Sequence, residues 1–226
     1  MLKAMAGKLG VVVAAALLGA GLAASAFAAD EDSGFLKDYS QLKEGKDLLG
    51  NDRRVWISPK FTRKNYTTIL MEPVSFYPAP QPSEQVSQST LTDIRDYGDK
   101  AIRKTIASVL PMTDKPGPGV ARVRIALTAV GVDKSLKPYQ LIPTALIFTA
   151  LTRATGAAKL DAKLYVESEI TDSVTGEPLA KAVRHAEGVE VKADQQLTLD
   201  MVRSRIDAWA EATGKEMTIR LQKAGK

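Results

Sequence analysis

The sequence predicts an α+β domain: an antiparallel-rich sheet of about four strands with two main helices packed on it, in the order β-α-β-β-β-α. Three observations lead there. Residues 158–191 read as two strands folded over a polar turn: the first alternates apolar and polar with the two-residue period of a half-buried strand, and the return strand alternates more weakly, which leaves its register open. Residues 91–110 and 198–223 repeat their apolar positions every three or four residues, the period of a helix with one apolar face. No internal repeat and no long linker divides the chain into two cores. With 45% hydrophobic and 25% charged residues in 226, the composition is that of a globular protein.

The chain divides into a leader over residues 1–28, an arm over 29–55 and the α+β domain over 56–226. In the leader, Lys3 and Lys8 precede an apolar run over 9–24, and Ala26-Phe27-Ala28 places small residues where a signal peptidase inspects them. This pattern predicts export, with cleavage before Ala29; the run is short for a bilayer span, so no transmembrane helix is expected in the mature chain. Removing Lys3 and Lys8 takes the formal charge from +5 to +3. The remaining charges are interleaved by sign, a solvated surface rather than a nucleic-acid footprint. The chain has no cysteine, which excludes a disulfide scaffold, thiol catalysis and a lipid-modified amino terminus.

The arm is polar, and its apolar residues Phe35, Leu36 and Tyr39 fall at one-turn spacing. They suit either a helical turn packed on the body or a docking site for a partner. Residues 66–76 are the first main strand. Its segment Thr67-Thr68-Ile69-Leu70-Met71 is β-branched and apolar on both sides, which predicts a central strand covered on each face. Asn65-Tyr66-Thr67 matches a glycosylation acceptor, but its place in a strand speaks against use. Pro78, Pro80 and Pro82 then open a polar, mobile connection that reaches Thr90.

The helix after that connection carries Leu91, Ile94, Ile102, Ile106 and Leu110 on its stripe, with Thr90 or Thr92 as its cap and Pro111 as its stop. Pro116-Gly117-Pro118-Gly119 breaks the chain before a strand in which Ala121, Val123, Ile125 and Leu127 alternate with Arg122, Arg124 and Thr128. A phosphate loop is the competing reading of the glycines, but two prolines remove amide donors and a strand follows. The most apolar run, residues 141–151, predicts a buried helix starting at Pro143 and closed by Gly156. The competing reading is a lipid- or partner-facing patch with Leu146 and Phe148 as contacts.

In the hairpin, Ala162, Leu164, Val166, Ser168 and Ile170 seek a core, while Tyr165, Glu167, Glu169 and Thr171 seek water. Asp172, Ser173 and Gly176 supply the reversal, and a return strand runs from Leu179 to about Val191. The last helix, over 198–223, has Trp209 as its anchor and Gly214 as an internal weak point.

Catalysis finds little to work with. His185 is the single histidine and has no serine motif beside it, so it reads as a structural residue in a strand. One nitrogen ligand cannot build a zinc site, and no calcium loop spacing occurs. Glu167 and Glu169 share a strand face and could pair as in a glycosidase, but neighbouring acids on a solvated strand are commonplace. No catalytic residue, cofactor or metal is assigned.

Five features together resemble a known family. They are Ser33-Gly34-Phe35-Leu36-Lys37-Asp38-Tyr39-Ser40-Gln41-Leu42, the strand ending in Glu72-Pro73-Val74, Pro116-Gly117-Pro118-Gly119 before a basic and apolar strand, Pro138-Tyr139 with Pro143, and the turn over 172–177. The chain is similar over almost its whole mature length to the bacterial envelope (lipo)protein family catalogued as domain of unknown function 3313. The resemblance implies a structural likeness and no established catalytic residues. Many members look like lipoproteins with a cysteine at the end of the signal, from which this chain departs.

The expectation is therefore a periplasmic or cell-envelope protein, a noncatalytic accessory or binding module acting through contacts at the Phe35 arm and the 141–151 run. The partner expected is an unidentified envelope protein, which could also hold the chain at the outer membrane; contact of the same run with a membrane surface competes. The alternative class is a small-ligand carrier or hydrolase with a site between sheet and helices.

Overall fold

The computed structural model describes residues 32–80, 82, 86–132, 159–192 and 195–223. Among these residues the order of elements is β1 (Lys43–Lys46), β2 (Asp52–Ile57), β3 (Thr68–Met71), β4 (Ser75–Phe76), α1 (Gln88–Val109), β5 (Val120–Val132), β6 (Lys159–Asp172), β7 (Pro178–Lys192) and α2 (Leu199–Lys223). The described strands form one sheet in the order β1-β2-β7-β6-β5-β3, with β4 also paired to β5.

The hairpin expected from alternation is β6 and β7. Its turn closes as its residue types dictate: the Asp172 carboxylate accepts the N–H groups of Val174 and Thr175 at 2.9 and 2.8 Å, and Gly176 takes φ 74°. The weak alternation of the return strand settles into a long ladder that includes Val166↔Arg184, Glu167↔Val183 and Ile170↔Ala180.

The sheet is larger than about four strands, and it is mixed. β3 and β4 run parallel to β5 (Ile69↔Ala121, Ser75↔Ala126) because α1 carries the chain back along the sheet before β5 begins. β1 and β2 come from the stretch read as an arm, whose proposed limit at residue 55 falls inside β2. β2 pairs with β7 from Arg53↔Arg184 to Ile57↔Ala180. β1 is a short outer strand whose four residues, Lys43, Glu44, Gly45 and Lys46, are all exposed.

β3 is not a central strand but the last of the sheet order. Its apolar character has another cause. Residues that follow α1 close on its outer side, with Ile69 N–H bonded to Pro111 O and Thr113 N–H to Ile69 O, both at 2.9 Å. Ile69 and Met71 turn to the core while Thr68 and Leu70 are half-buried.

α1 starts earlier than Thr90 or Thr92 would set it. Ser87 is the cap, held extended with its Oγ accepting the Thr90 N–H at 3.0 Å, and the helix stops at Val109 before Pro111. Both helices lie on one face of the sheet, and Ile69, Ile102, Ile106, Val123, Leu179 and Leu221 are among the side chains that fill the space between. Each such side chain contributes about 1.5–3 kcal/mol by leaving water. Trp209 packs against this core. α2 is tied to the sheet by Glu216, whose carboxylate meets Arg53 at 2.5 Å and Arg184 at 2.6 Å and also accepts the Leu48 N–H at 3.1 Å.

No helix of the described residues is long and apolar enough to cross a membrane. The leader over 1–28 and the helix expected from Pro143 lie outside the described residues, as does part of the proline-rich connection.

Candidate functional site

The face of the sheet opposite the helices is the one the hairpin pattern assigns to water. Strand register arranges it in two rows. One runs Ala126, Glu167, Val183, Arg54 across β5, β6, β7 and β2; the next runs Arg124, Glu169, Lys181, Trp56. Within the second row Arg124 Nη1 lies 3.2 Å from Glu169 Oε2. Yet Glu167 is 1% exposed, Glu169 7% and Lys181 4%. The expectation of a solvated face is overturned: residues 32–42 of the arm lie across it.

The arm bends instead of forming a helical turn, and Tyr39 organises the bend. Its phenol oxygen accepts the N–H groups of Gly34 and Leu36 at 3.0 and 3.1 Å and donates to Glu167 Oε2 at 2.7 Å. One proton and two lone pairs are then all used. Glu167 Oε1 accepts the Ser33 N–H at 3.3 Å, so a buried carboxylate is bonded on both oxygens by the arm. Burial first, and then the hydrogen bond to Glu167, push the Tyr39 hydroxyl up to about 12.

Ionic and aromatic contacts complete the seat. Asp32 pairs with Arg54 at 2.5 Å, and Lys181 Nζ donates to Asp38 O at 2.9 Å and to Asp38 Oδ2 at 3.4 Å. Asp38 is held down at about 2, chiefly by its hydrogen bonds with Ser40, with Lys181 adding to them. The Phe35 ring lies 4.8 Å from the Arg124 guanidinium carbon and meets Tyr77 edge-on at 5.7 Å.

The structure brings three of the five candidate contact residues together. Phe35 and Leu36, 8% and 2% exposed, pack with Ala126 and Val183, and Tyr39 lies half-buried beside them. They face the chain's own sheet. Leu146 and Phe148 lie outside the described residues. Sequence reasoning missed Arg54, Arg124 and Lys181 as partners of the arm; the available signal was a pair of apolar residues, Phe35 and Leu36, stranded in a polar segment.

His185 is half-buried with its ring centroid 4.5 Å from that of Tyr165, further along the same face. Glu167 and Glu169 do not stand as a free pair of acids: the first is bonded to the arm and the second to Arg124. Among the described residues no three His, Cys, Asp or Glu side chains are grouped to hold a metal ion. Chemically, then, the site is a bonded seat for a peptide segment.

Known proteins resemble this chain in sequence. The uncharacterized lipoprotein YdcL of Escherichia coli (strain K12) is 34% identical over 183 residues, 80% of this chain and 82% of that one. Its counterpart in Escherichia coli O157:H7 matches equally. Among solved structures, the PelC dodecamer from Paraburkholderia phytofirmans covers 71% of this chain and 95% of its own at 10% identity, with a TM-score of 0.34. Protein XCC0632 from Xanthomonas campestris covers 73% and 87% at 12% identity, with a TM-score of 0.28. Residues 31–213 match the family described as "Protein of unknown function (DUF3313)", and the chain belongs to that family.

Proposed function

We propose that this chain is a noncatalytic binding module of the cell envelope, acting through protein contacts made by its arm and by the 141–151 run. An envelope location is supported by a relative that is called a lipoprotein and by the leader-like pattern over 1–28. The 226 residues contain no cysteine to carry a lipid, so the location proposed is the periplasm, or the outer membrane where a protein partner holds the chain.

The observation that carries the noncatalytic reading is the use made of the polar groups on the arm face. Glu167, Lys181, Arg54 and Tyr39 are each bonded to or within the arm instead of converging on open space. Between sheet and helices the described side chains form apolar core together with the Glu216 carboxylate paired to Arg53 and Arg184, so the acid there is already committed to two cations.

Crosslinking in the envelope of producing cells tests this reading. A specific protein should be recovered with the chain and lost when Phe35→Ala and Tyr39→Ala are combined. A chain that recovers no partner under any crosslinking condition contradicts it.

A further inference from the structure

We propose that residues 32–42 form a latch that lifts from the sheet as one unit while the rest of the fold stays intact. The closed arm is then an autoinhibitory contact, in which Phe35, Leu36 and Tyr39 are withheld from any partner. The second statement rests on the reading of the arm as a contact surface; the first stands without it.

The bonding of the arm sets it apart from the rest of the sheet. Among the described residues no backbone-to-backbone hydrogen bond joins it to a strand. Its connections are made through side chains: Glu167 with Ser33 and Tyr39, Lys181 with Asp38, and Arg54 with Asp32. By contrast β2, next to it in sequence, is stitched to β7 by a ladder. Without ladder bonds, the segment relies on two buried apolar residues and a set of side-chain contacts to offset the conformational entropy that residues 32–42 lose on docking, at about 1–2 kcal/mol per residue.

The arm also carries its own framework. Gly34 and Leu36 bond to Tyr39 Oη, Phe35 N–H to Ser33 Oγ, Ser40 N–H to Asp38 Oδ1 and Leu42 N–H to Tyr39 O. These bonds lie inside the segment, so it moves as a piece. Lifting it does not disturb the main core, which lies on the other face of the sheet between β-strands and helices. Nor does opening strand the charges it uncovers: Glu167 and Lys181 exchange an arm partner for water, and Glu169 keeps Arg124.

The test is amide hydrogen exchange on the full chain without any partner. The amides of Gly34 and Leu36 should exchange faster than those of β6 and α1 and with little dependence on denaturant below the unfolding transition. Tyr39→Phe removes all three hydrogen bonds of Tyr39 Oη, two of them from the Gly34 and Leu36 amides themselves. The diagnostic amides are therefore those of Phe35, Ser40 and Leu42, which should exchange about tenfold faster or more while the α1 amides stay unchanged. If arm and core amides exchange in the same global event in the unmodified chain, the latch is refuted, whatever the variant does. The same holds if Tyr39→Phe leaves the exchange of the Phe35, Ser40 and Leu42 amides unaltered.

Envelope crosslinking separates this proposal from the reading beneath it. Tyr39→Phe, which frees the arm but keeps the ring, should raise recovery of the partner. An arm that opens but recovers no partner defeats the binding-module reading and leaves the latch. A partner recovered by a chain whose arm never opens on its own defeats the latch alone.

Discussion

Gly214 on α2 faces Thr105 on α1 so closely that a Cβ at 214 would sit inside the contact distance of Thr105 Cγ2. The glycine that reads in sequence as a helix weak point is a place where the two helices meet closely. Thr105 is β-branched and stiff at χ1, so it cannot swing aside without cost.

The first prediction follows. In an open helix, Gly214→Ala would stabilise by about 1 kcal/mol through helix propensity. Here the sign should reverse, with a loss of about 1–3 kcal/mol from overpacking. Adding Thr105→Ala should restore much of the loss, and denaturant midpoints of the two singles and the double decide it. A stabilised Gly214→Ala chain would mean the helices are not packed in this way.

Glu216 should matter far more than its place on a polar helix suggests. It answers two guanidinium groups in a nearly enclosed setting, and Arg184 is 8% exposed. Glu216→Ala leaves that buried charge uncompensated and should cost about 3–5 kcal/mol. Glu177→Ala removes an ion pair with Lys60 whose side chains are 45% and 63% exposed, and should cost less than about 1 kcal/mol. Urea melts of the two variants side by side test the contrast; equal losses would refute it.

Acid should weaken the fold in a defined window. Asp172 is held below its ordinary 3.8, first by the Thr175 N–H, and Asp38 is held at about 2. A depressed carboxyl contributes stability that is complete above the unfolded value of 3.8 and disappears as pH falls through the folded value. Stability should therefore decline between pH 3.8 and about 2. Asp172→Asn, which keeps a turn acceptor, should show a shallower decline over that window in urea midpoints.

Base should act through two phenols. Tyr39 and Tyr66 are both pushed up to about 12, each by burial first and then by a hydrogen bond to a carboxylate, Glu167 or Asp172. A raised group contributes stability that is complete below its unfolded value of 10 and is lost as pH rises through about 12. Phenolate absorbance should show a late component near 12, and Tyr39→Phe and Tyr66→Phe should each remove part of it. A single transition near 10 for all tyrosines would contradict the placement of both.

How much of this was legible in the chain depended on what each pattern distinguishes. β6 and both helices are readable because long runs repeat one period many times, and β7 because a turn of Asp172, Ser173 and Gly176 sends the chain back beside β6. β1 and β2 are not, since Lys-Glu-Gly-Lys is polar throughout and Arg53 and Arg54 put charge on both faces of a strand. Only tertiary partners, Glu216 for one and Asp32 for the other, explain that pair. The arm face was misread for a related reason. Alternation says that Glu167 and Glu169 point away from the core, but it does not say whether water or another segment meets them.

The exposed Lys-Glu-Gly-Lys of β1 has a consequence for the molecule in a crowd. A free strand edge is a template on which a neighbouring chain can continue the sheet, and short length with lysine is a standing deterrent. At the opposite end, Ile69 already spends its outer hydrogen bonds on Pro111 and Thr113. Both of these edges thus offer an approaching copy of the chain few free backbone groups on which to continue the sheet.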